Sequence, residues 1–155
     1  KGIFVHKEIG YNFMFTEMQA AIGNIQVKKL KKILKRKKEI FETYKKGLST
    51  IKSISFMQNL AKNKPVHWFS NIFTKDKLKL KKFLEKNKIQ TRDIFLPLNL
   101  QPCYRKYKII KNIKDRFPVS NKIFNTGLSL PSSYNLKNSE LNLIINKIKK
   151  FYSLK

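Results

Sequence analysis

His6-Lys-Glu-Ile-Gly-Tyr-Asn-Phe-Met-Phe-Thr-Glu-Met-Gln-Ala-Ala-Ile-Gly-Asn-Ile-Gln-Val-Lys-Lys-Leu30 joins a polar Gly-Tyr-Asn loop to the start of a long helix. Thr16-Glu-Met-Gln19 fits a capping box, in which the Thr16 hydroxyl accepts from the Gln19 amide and the Gln19 side chain reaches back to the Thr16 amide. Phe15 and Ala20 stand where a hydrophobic staple would stand, with Ala20 small for one. Beyond the cap, Met18, Ile22, Ile25, Leu30, Ile33, Leu34, Ile40, Phe41, Tyr44 and Leu48 recur at three- and four-residue spacing. This stripe predicts one helix of roughly 30 residues, against a mean near 11. Ala20, Ala21 and Gly23 remove bulk over one turn, so that another backbone can approach there. Such a helix bridges two structural units, crosses a subunit contact or simply runs through a core, and periodicity alone leaves these open.

The chain has 155 residues, enough for one domain with a modest core. Hydrophobic residues make up 41%, which excludes a disordered basic tail. A net charge of +26 taken alone points to a polyanionic partner, nucleic acid or an anionic membrane. The kind of charge argues otherwise. Arginine, whose planar fork suits nucleic-acid readout, occurs only at positions 36, 92, 105 and 116. Lys, Asn and Ile are abundant together, and all three use A- and T-rich codons, so a coding bias accounts for the excess without any partner. Cys103 is the one cysteine, so neither an intrachain disulfide nor a cysteine-based metal site is open to the chain. His6 and His67 lie far apart, so no zinc site is expected. No apolar run of membrane-spanning length and no signal-peptide pattern occurs, and a reducing, cytoplasmic setting is the expectation. The first residue is Lys1 rather than Met, and the chain is expected to begin inside a longer protein.

Downstream of the helix, residues 47–53 read as a turn and Ile54-Ser-Phe-Met57 as a short strand, with a polar loop over 59–64. Val66 to Thr74 is rich in aromatic and β-branched residues and reads as a strand. Asp76 is placed to cap a helix carrying Leu78, Leu80, Phe83 and Leu84 and ending near Asn87. Ile89-Gln-Thr91 returns as a short strand, and 95–107 is a loop fixed by Pro97 and Pro102. Pro118 opens a helix that Gly127 ends. Leu128-Ser-Leu130 is a short extended piece stopped by Pro131. Asn138 or Ser139 opens a last helix with Leu141, Ile144, Ile145, Ile148 and Phe151 on one side. The expected class is a small α+β unit, its sheet mainly antiparallel with helices on one face.

No catalytic set is complete: there is no Ser-His-Asp spacing, no phosphate loop of the Walker kind and no obvious acid/base pair among 9 acidic residues. Candidate residues therefore lie in loops, where scaffolded function concentrates. The Asn12 amide can donate to a phosphate or carboxylate, or close its own turn. In Pro97-Leu-Asn-Leu-Gln-Pro-Cys-Tyr104, two prolines fix a loop presenting Asn99, Gln101 and Tyr104, either to a ligand or as a rigid connector. His6 and His67 read as structural.

These patches resemble the C-terminal portion of sugar-nucleotide aminotransferases of the DegT/StrS type. That family shows a His, then Ile-Gly-Tyr-Asn-Tyr-Arg-Met, a Thr or Ser, and Gln-Ala-Ala-Ile-Gly with a later Gln-Leu. Here the run is His6, Ile9-Gly-Tyr-Asn-Phe-Met-Phe15, Thr16, Gln19-Ala-Ala-Ile-Gly23 and Gln26-Val27. A second motif, Pro-Leu-His-x-Gln-Pro-x-Tyr, matches residues 97–104. A third, Leu-Ser-Leu-Pro with a later Leu and a final amphipathic helix, matches Leu128-Ser-Leu-Pro131, Leu136 and the helix through Phe151.

The resemblance implies the small C-terminal domain of an aspartate-aminotransferase-like (fold-type I) enzyme that uses pyridoxal 5'-phosphate. It implies a homodimer with shared active sites, moving an amino group, usually from glutamate, onto a nucleotide-linked keto-sugar for surface polysaccharide or glycoconjugate biosynthesis. Residues 1–14 would then come from the cofactor-domain side, 15–48 would form a bridging helix and 49–155 the small domain. Asn12 would reach the cofactor phosphate in the neighbouring subunit's site, and Asn99, Gln101 and Tyr104 would lie at the sugar. No nucleic acid, membrane or metal is expected.

Two positions depart from the pattern. Met14 stands where the family has Arg, which removes a cation near an anionic cofactor, and Asn99 stands where it has His. The Schiff-base lysine, the aspartate facing the pyridine nitrogen and the main phosphate-binding residues belong to the family's N-terminal domain, which is absent here. The expectation is a fragment that does not transaminate by itself. The alternatives are a basic nucleic-acid-binding module and an inactive, truncated paralogue.

Overall fold

A computed structural model describes residues 4–58, 63–105 and 116–154. Helix α1 spans Glu17–Leu48, and its start is the capping box the sequence predicts. The Thr16 amide donates to Gln19 Oε1 at 2.9 Å, and the Gln19 amide donates to Thr16 Oγ1 at 3.3 Å. Strand β1 (Ser70–Phe73) leads to α2 (Lys77–Lys86), then β2 (Arg92–Asp93). A 3-10 turn at Leu98–Leu100 and the one-turn helix α3 (Pro102–Arg105) follow. Helix α4 (Pro118–Thr126) has proline in its first turn and passes at Gly127 into β3 (Gly127–Leu130). The last element is α5 (Asn138–Ser153), where the Glu140 carboxylate accepts from the Lys137 amide at 2.7 Å, in keeping with the positive end of the helix dipole.

The three strands form one antiparallel sheet in the order β1-β3-β2. Ile72 faces Leu128, and Ser70 faces Leu130. Ile72, Leu128 and Leu130 share one buried cluster with Ile40, Tyr44 and Leu48 of α1, Leu80 and Leu84 of α2, and Leu141, Ile144, Ile145 and Ile148 of α5. The helices therefore cover the apolar side of the sheet. The core uses only the C-terminal part of α1: its buried residues are Ile40, Phe41, Tyr44 and Leu48. Upstream, the same stripe is open, with Met18 80%, Ile22 64% and Ile25 48% exposed. A Cβ added at Gly23 would meet no atom within 4 Å, so the close approach expected at that turn is not made by this chain's described residues.

Several elements differ from the sequence reading. Helix α1 continues through Gly47, where the sequence reads a turn. Residues 54–57 form no strand, and their sheet contact is one bridge from Ser55 to Phe73. Of 66–74, only 70–73 pair. The strand expected at 89–91 sits at 92–93 instead, because Ile89 is consumed in closing α2, its amide donating to Leu84 O at 2.9 Å. The short piece at 128–130 is the central strand, with all four residues of β3 buried. Asp76 holds the cap position of α2 without a side-chain cap bond. The loop over 59–64 and the end of the 95–107 loop lie partly outside the described residues.

Candidate functional site

Phe4 to Thr16 carries no regular structure, and Asn12 is exposed within it. Its neighbours are exposed too: Tyr11 90%, Phe13 85% and Met14 93%. A Cβ at Gly10 would meet nothing within 4 Å, so no backbone of this chain presses on the loop there. The upstream end of the loop is anchored. Phe4 packs edge-on against Phe95 at 4.7 Å between ring centroids, and Phe95 in turn contacts Phe69 and Trp68.

The second candidate loop supplies the polar part of that anchor. The Gln101 Nε2 donates to the Phe4 carbonyl at 2.8 Å, and its Oε1 accepts from the His6 amide at 2.9 Å. The Cys103 amide donates to the His6 carbonyl at 3.0 Å. Gln101 and Cys103 are both buried. The two stretches singled out in the sequence are therefore in direct contact, although some ninety positions separate them. Gln101 was expected at the substrate, but its amide is engaged by backbone. Tyr104 remains 44% exposed. Asn99 is half-buried and lines an open cavity of about 430 Å³ with Phe95, Pro97, Leu98, Phe117, Ser120 and others. Its Nδ2 is shielded from solvent and has no hydrogen-bond partner. A shielded donor left unmade is costly, and an acceptor brought to this cavity would satisfy it.

Four other ionisable groups, His67, Tyr44, Lys37 and Lys77, are tied into the fold by their contacts. His67 stacks on Phe41 at 4.0 Å between centroids, and burial lowers its pKa against the opposing pull of Glu42. Tyr44 donates to the Pro131 carbonyl at 2.8 Å, and burial pushes its phenol well above the ordinary range. Burial lowers the Lys37 ammonium, but its Nζ already donates to the carbonyls of Trp68 and Ser132, which gives it no freedom to condense with an aldehyde. Lys77 is spent on Asp93 and the Phe124 carbonyl. The Asn12 side-chain amide, exposed on its loop, is a hydrogen-bond donor open to an anionic group. Among the described residues there is no group of three or more His, Cys, Asp or Glu that could hold a metal ion. No described helix is long and apolar enough to cross a membrane.

Two features escaped the sequence reading. One is the contact between residues 4–6 and 101–103, which no local pattern encodes. The other is an open groove of about 600 Å³ between the sheet and α5, where Lys37, Lys88, Arg92, Ser132 and Ser133 supply polar atoms. With 35 basic residues in the chain, none of those cations stands out in sequence.

A profile of the DegT/DnrJ/EryC1/StrS aminotransferase family matches residues 1–149. The chain belongs to this family. Among curated relatives, it is 30% identical to the GDP-perosamine synthase of Escherichia coli O157:H7, over 99% of this chain and 42% of that protein. It is 29% identical to the GDP-perosamine synthase of Vibrio cholerae, over 96% of this chain and 40% of that protein. Among solved structures, DesV of S. venezuelae superposes with a TM-score of 0.81 at 22% identity, covering 96% of this chain and 39% of that one. Helicobacter pylori PseC, an aminotransferase involved in the biosynthesis of pseudoaminic acid, superposes at 0.77 and 22% identity, over all of this chain and 43% of that one. The DegT/DnrJ/EryC1/StrS chain thus spans about two fifths of the length of the relatives it matches, between 39% and 43% in these four. Its long helix and small antiparallel sheet are the C-terminal unit of the larger aminotransferase fold.

Proposed function

We propose that the chain is the C-terminal part of a pyridoxal-phosphate-dependent aminotransferase acting on a nucleotide-linked keto-sugar, with glutamate as amino donor, in the synthesis of surface polysaccharide or glycoconjugate. Residues 1–14 belong to the cofactor-domain side, 15–48 bridge, and 49–155 form the small domain. The observation that carries this reading is the family match running through residues 1–149, which takes in both candidate loops. The substrate class is supported by relatives named for GDP- and UDP-linked amino sugars. A bridging role for α1 is supported by its division into a buried C-terminal part and an upstream apolar face left open.

When bound, pyridoxal phosphate supplies the electron sink for amino transfer. The residues of this chain bind and orient. Asn12 donates to the cofactor phosphate in the partner subunit's site of a homodimer. Asn99 offers its unpaired Nδ2 to a sugar oxygen, and Tyr104 borders the same loop with an exposed ring. Incubating the full-length protein with pyridoxal phosphate, glutamate and a panel of GDP- and UDP-linked keto-sugars tests this. Mass spectrometry is expected to find one amino-sugar nucleotide. Absence of any such product across the panel and across other amino-acid donors contradicts the reading.

Met14 and Asn99 favour a second reading, an inert relative, since both replace cation-forming side chains of the family pattern. Met14→Arg with Asn99→His discriminates: an inert parent revived by the pair supports it, whereas an active parent removes it.

A further inference from the structure

The Gln101 side chain spans two stretches to which the proposed function gives different tasks. It accepts from the His6 amide at 2.9 Å and donates to the Phe4 carbonyl at 2.8 Å, while being only 4% exposed. A primary amide suits this, because it places a donor and an acceptor on one planar group, whereas a carboxylate lacks the donor and an ammonium lacks the acceptor. The neighbouring Cys103 amide adds a third bond, to the His6 carbonyl.

Residues 7–15, which include Asn12, are consequently held at both ends. Upstream they are pinned by Gln101, downstream by the capping box at Thr16 and Gln19. A span fixed at both ends explores fewer conformations than an arm fixed at one, so less ordering is left to be done when a ligand arrives. On its other side, Gln101 lies between Asn99 and Tyr104 in one short loop whose turns are closed by Leu100 N to Pro97 O at 2.9 Å and Tyr104 N to Gln101 O at 3.1 Å.

We propose that Gln101 is a positioning residue. Its amide fixes the Asn12 loop against the Asn99–Tyr104 loop, so that the cofactor-phosphate contact and the sugar contact are held in one register. The proposal rests on the placement of Asn12 given above.

A double-mutant cycle on cofactor retention by the complete dimeric enzyme tests it, with Asn12→Ala, Gln101→Leu, the pair, and melting temperature followed for each. Gln101→Leu is expected to weaken pyridoxal phosphate retention about tenfold, in line with loss of the hydrogen bonds that pin the loop. The pair is expected to retain it no worse than Asn12→Ala alone, because Gln101 acts through Asn12. Should Gln101→Leu fail to fold, Gln101→Met runs the same cycle with the same expected loss, since it keeps the length of the side chain and removes both the donor to Phe4 and the acceptor for His6. Additive losses, or wild-type retention in the Gln101 variants, overturn the positioning role and leave the Asn12 contact standing. Wild-type retention by Asn12→Ala overturns that contact, and this inference with it.

Discussion

Asp93 lies between two lysines. Lys77 Nζ approaches its Oδ1 at 3.1 Å, and Lys81 Nζ hydrogen-bonds its Oδ2. Burial works to raise the Asp93 pKa, but the hydrogen bonds from Lys81 and Lys77 outweigh it and hold the carboxyl below its ordinary value. A carboxyl with a depressed folded pKa stabilises the fold fully above the unfolded value, about 3.9, and loses that contribution as pH falls through the folded value. Melting temperature followed through the acid range is therefore expected to drop less steeply for Asp93→Asn than for the parent. Equal slopes would show that Asp93 contributes nothing to the acid limb. Tyr44 has a simpler role. Removing its hydroxyl as Tyr44→Phe leaves the Pro131 carbonyl without that donor and is expected to cost about 1 kcal/mol in denaturant unfolding. The sequence showed Tyr44 as one member of a stripe, which locates burial. It did not show where the hydroxyl goes, because the acceptor is 87 positions away. Asn12 and Asn99 were legible as loop amides, and the structure adds that Asn99 has a shielded donor without a partner.

At the scale of elements, α1 was the most legible, because its cap and its periodicity are both local. Strand β3 was legible as an extended piece, though not as the centre of the sheet. Gly-Leu-Ser-Leu has no β-branched residue and is buried throughout, so neither propensity nor alternation marks it as a central strand. Its first residue is demanding. A Cβ on Gly127 would lie 2.6 Å from the Ile123 carbonyl and would collide with the Ile94 side chain. The carbonyl is backbone and cannot step aside. Gly127→Ala is expected to lower stability by about 1–3 kcal/mol, read from the denaturant midpoint, as overpacking does in a filled core. Thr16→Ala, in contrast, removes a cap on the open end of α1. Its cost, about 1 kcal/mol locally, is expected to appear as faster amide exchange over the first turns, with the global midpoint almost unchanged.

At the scale of the whole molecule, the division of α1 is the main consequence of the packing. Only residues from Ile40 onward enter the core, while Met18, Ile22, Ile25 and Leu30 leave apolar surface open. Isolated helical stretches are marginal in water, where tertiary packing supplies most of their stability. Amide exchange along α1 is thus expected to be fast over 17–34 and slow over 40–48 when the chain is studied alone, and slow throughout in the complete protein. The fold class and the family were readable because the motifs are short and contiguous. The clamp between residues 4–6 and 101–103 was not, since it exists only once the chain has folded. The most direct measurement is the visible absorbance of bound pyridoxal phosphate, titrated against the full-length protein and against these 155 residues alone. The account predicts stoichiometric uptake by the full-length protein, weakened by Asn12→Ala, and none by the shorter chain. Uptake by the shorter chain, or none by the full-length protein, would contradict it.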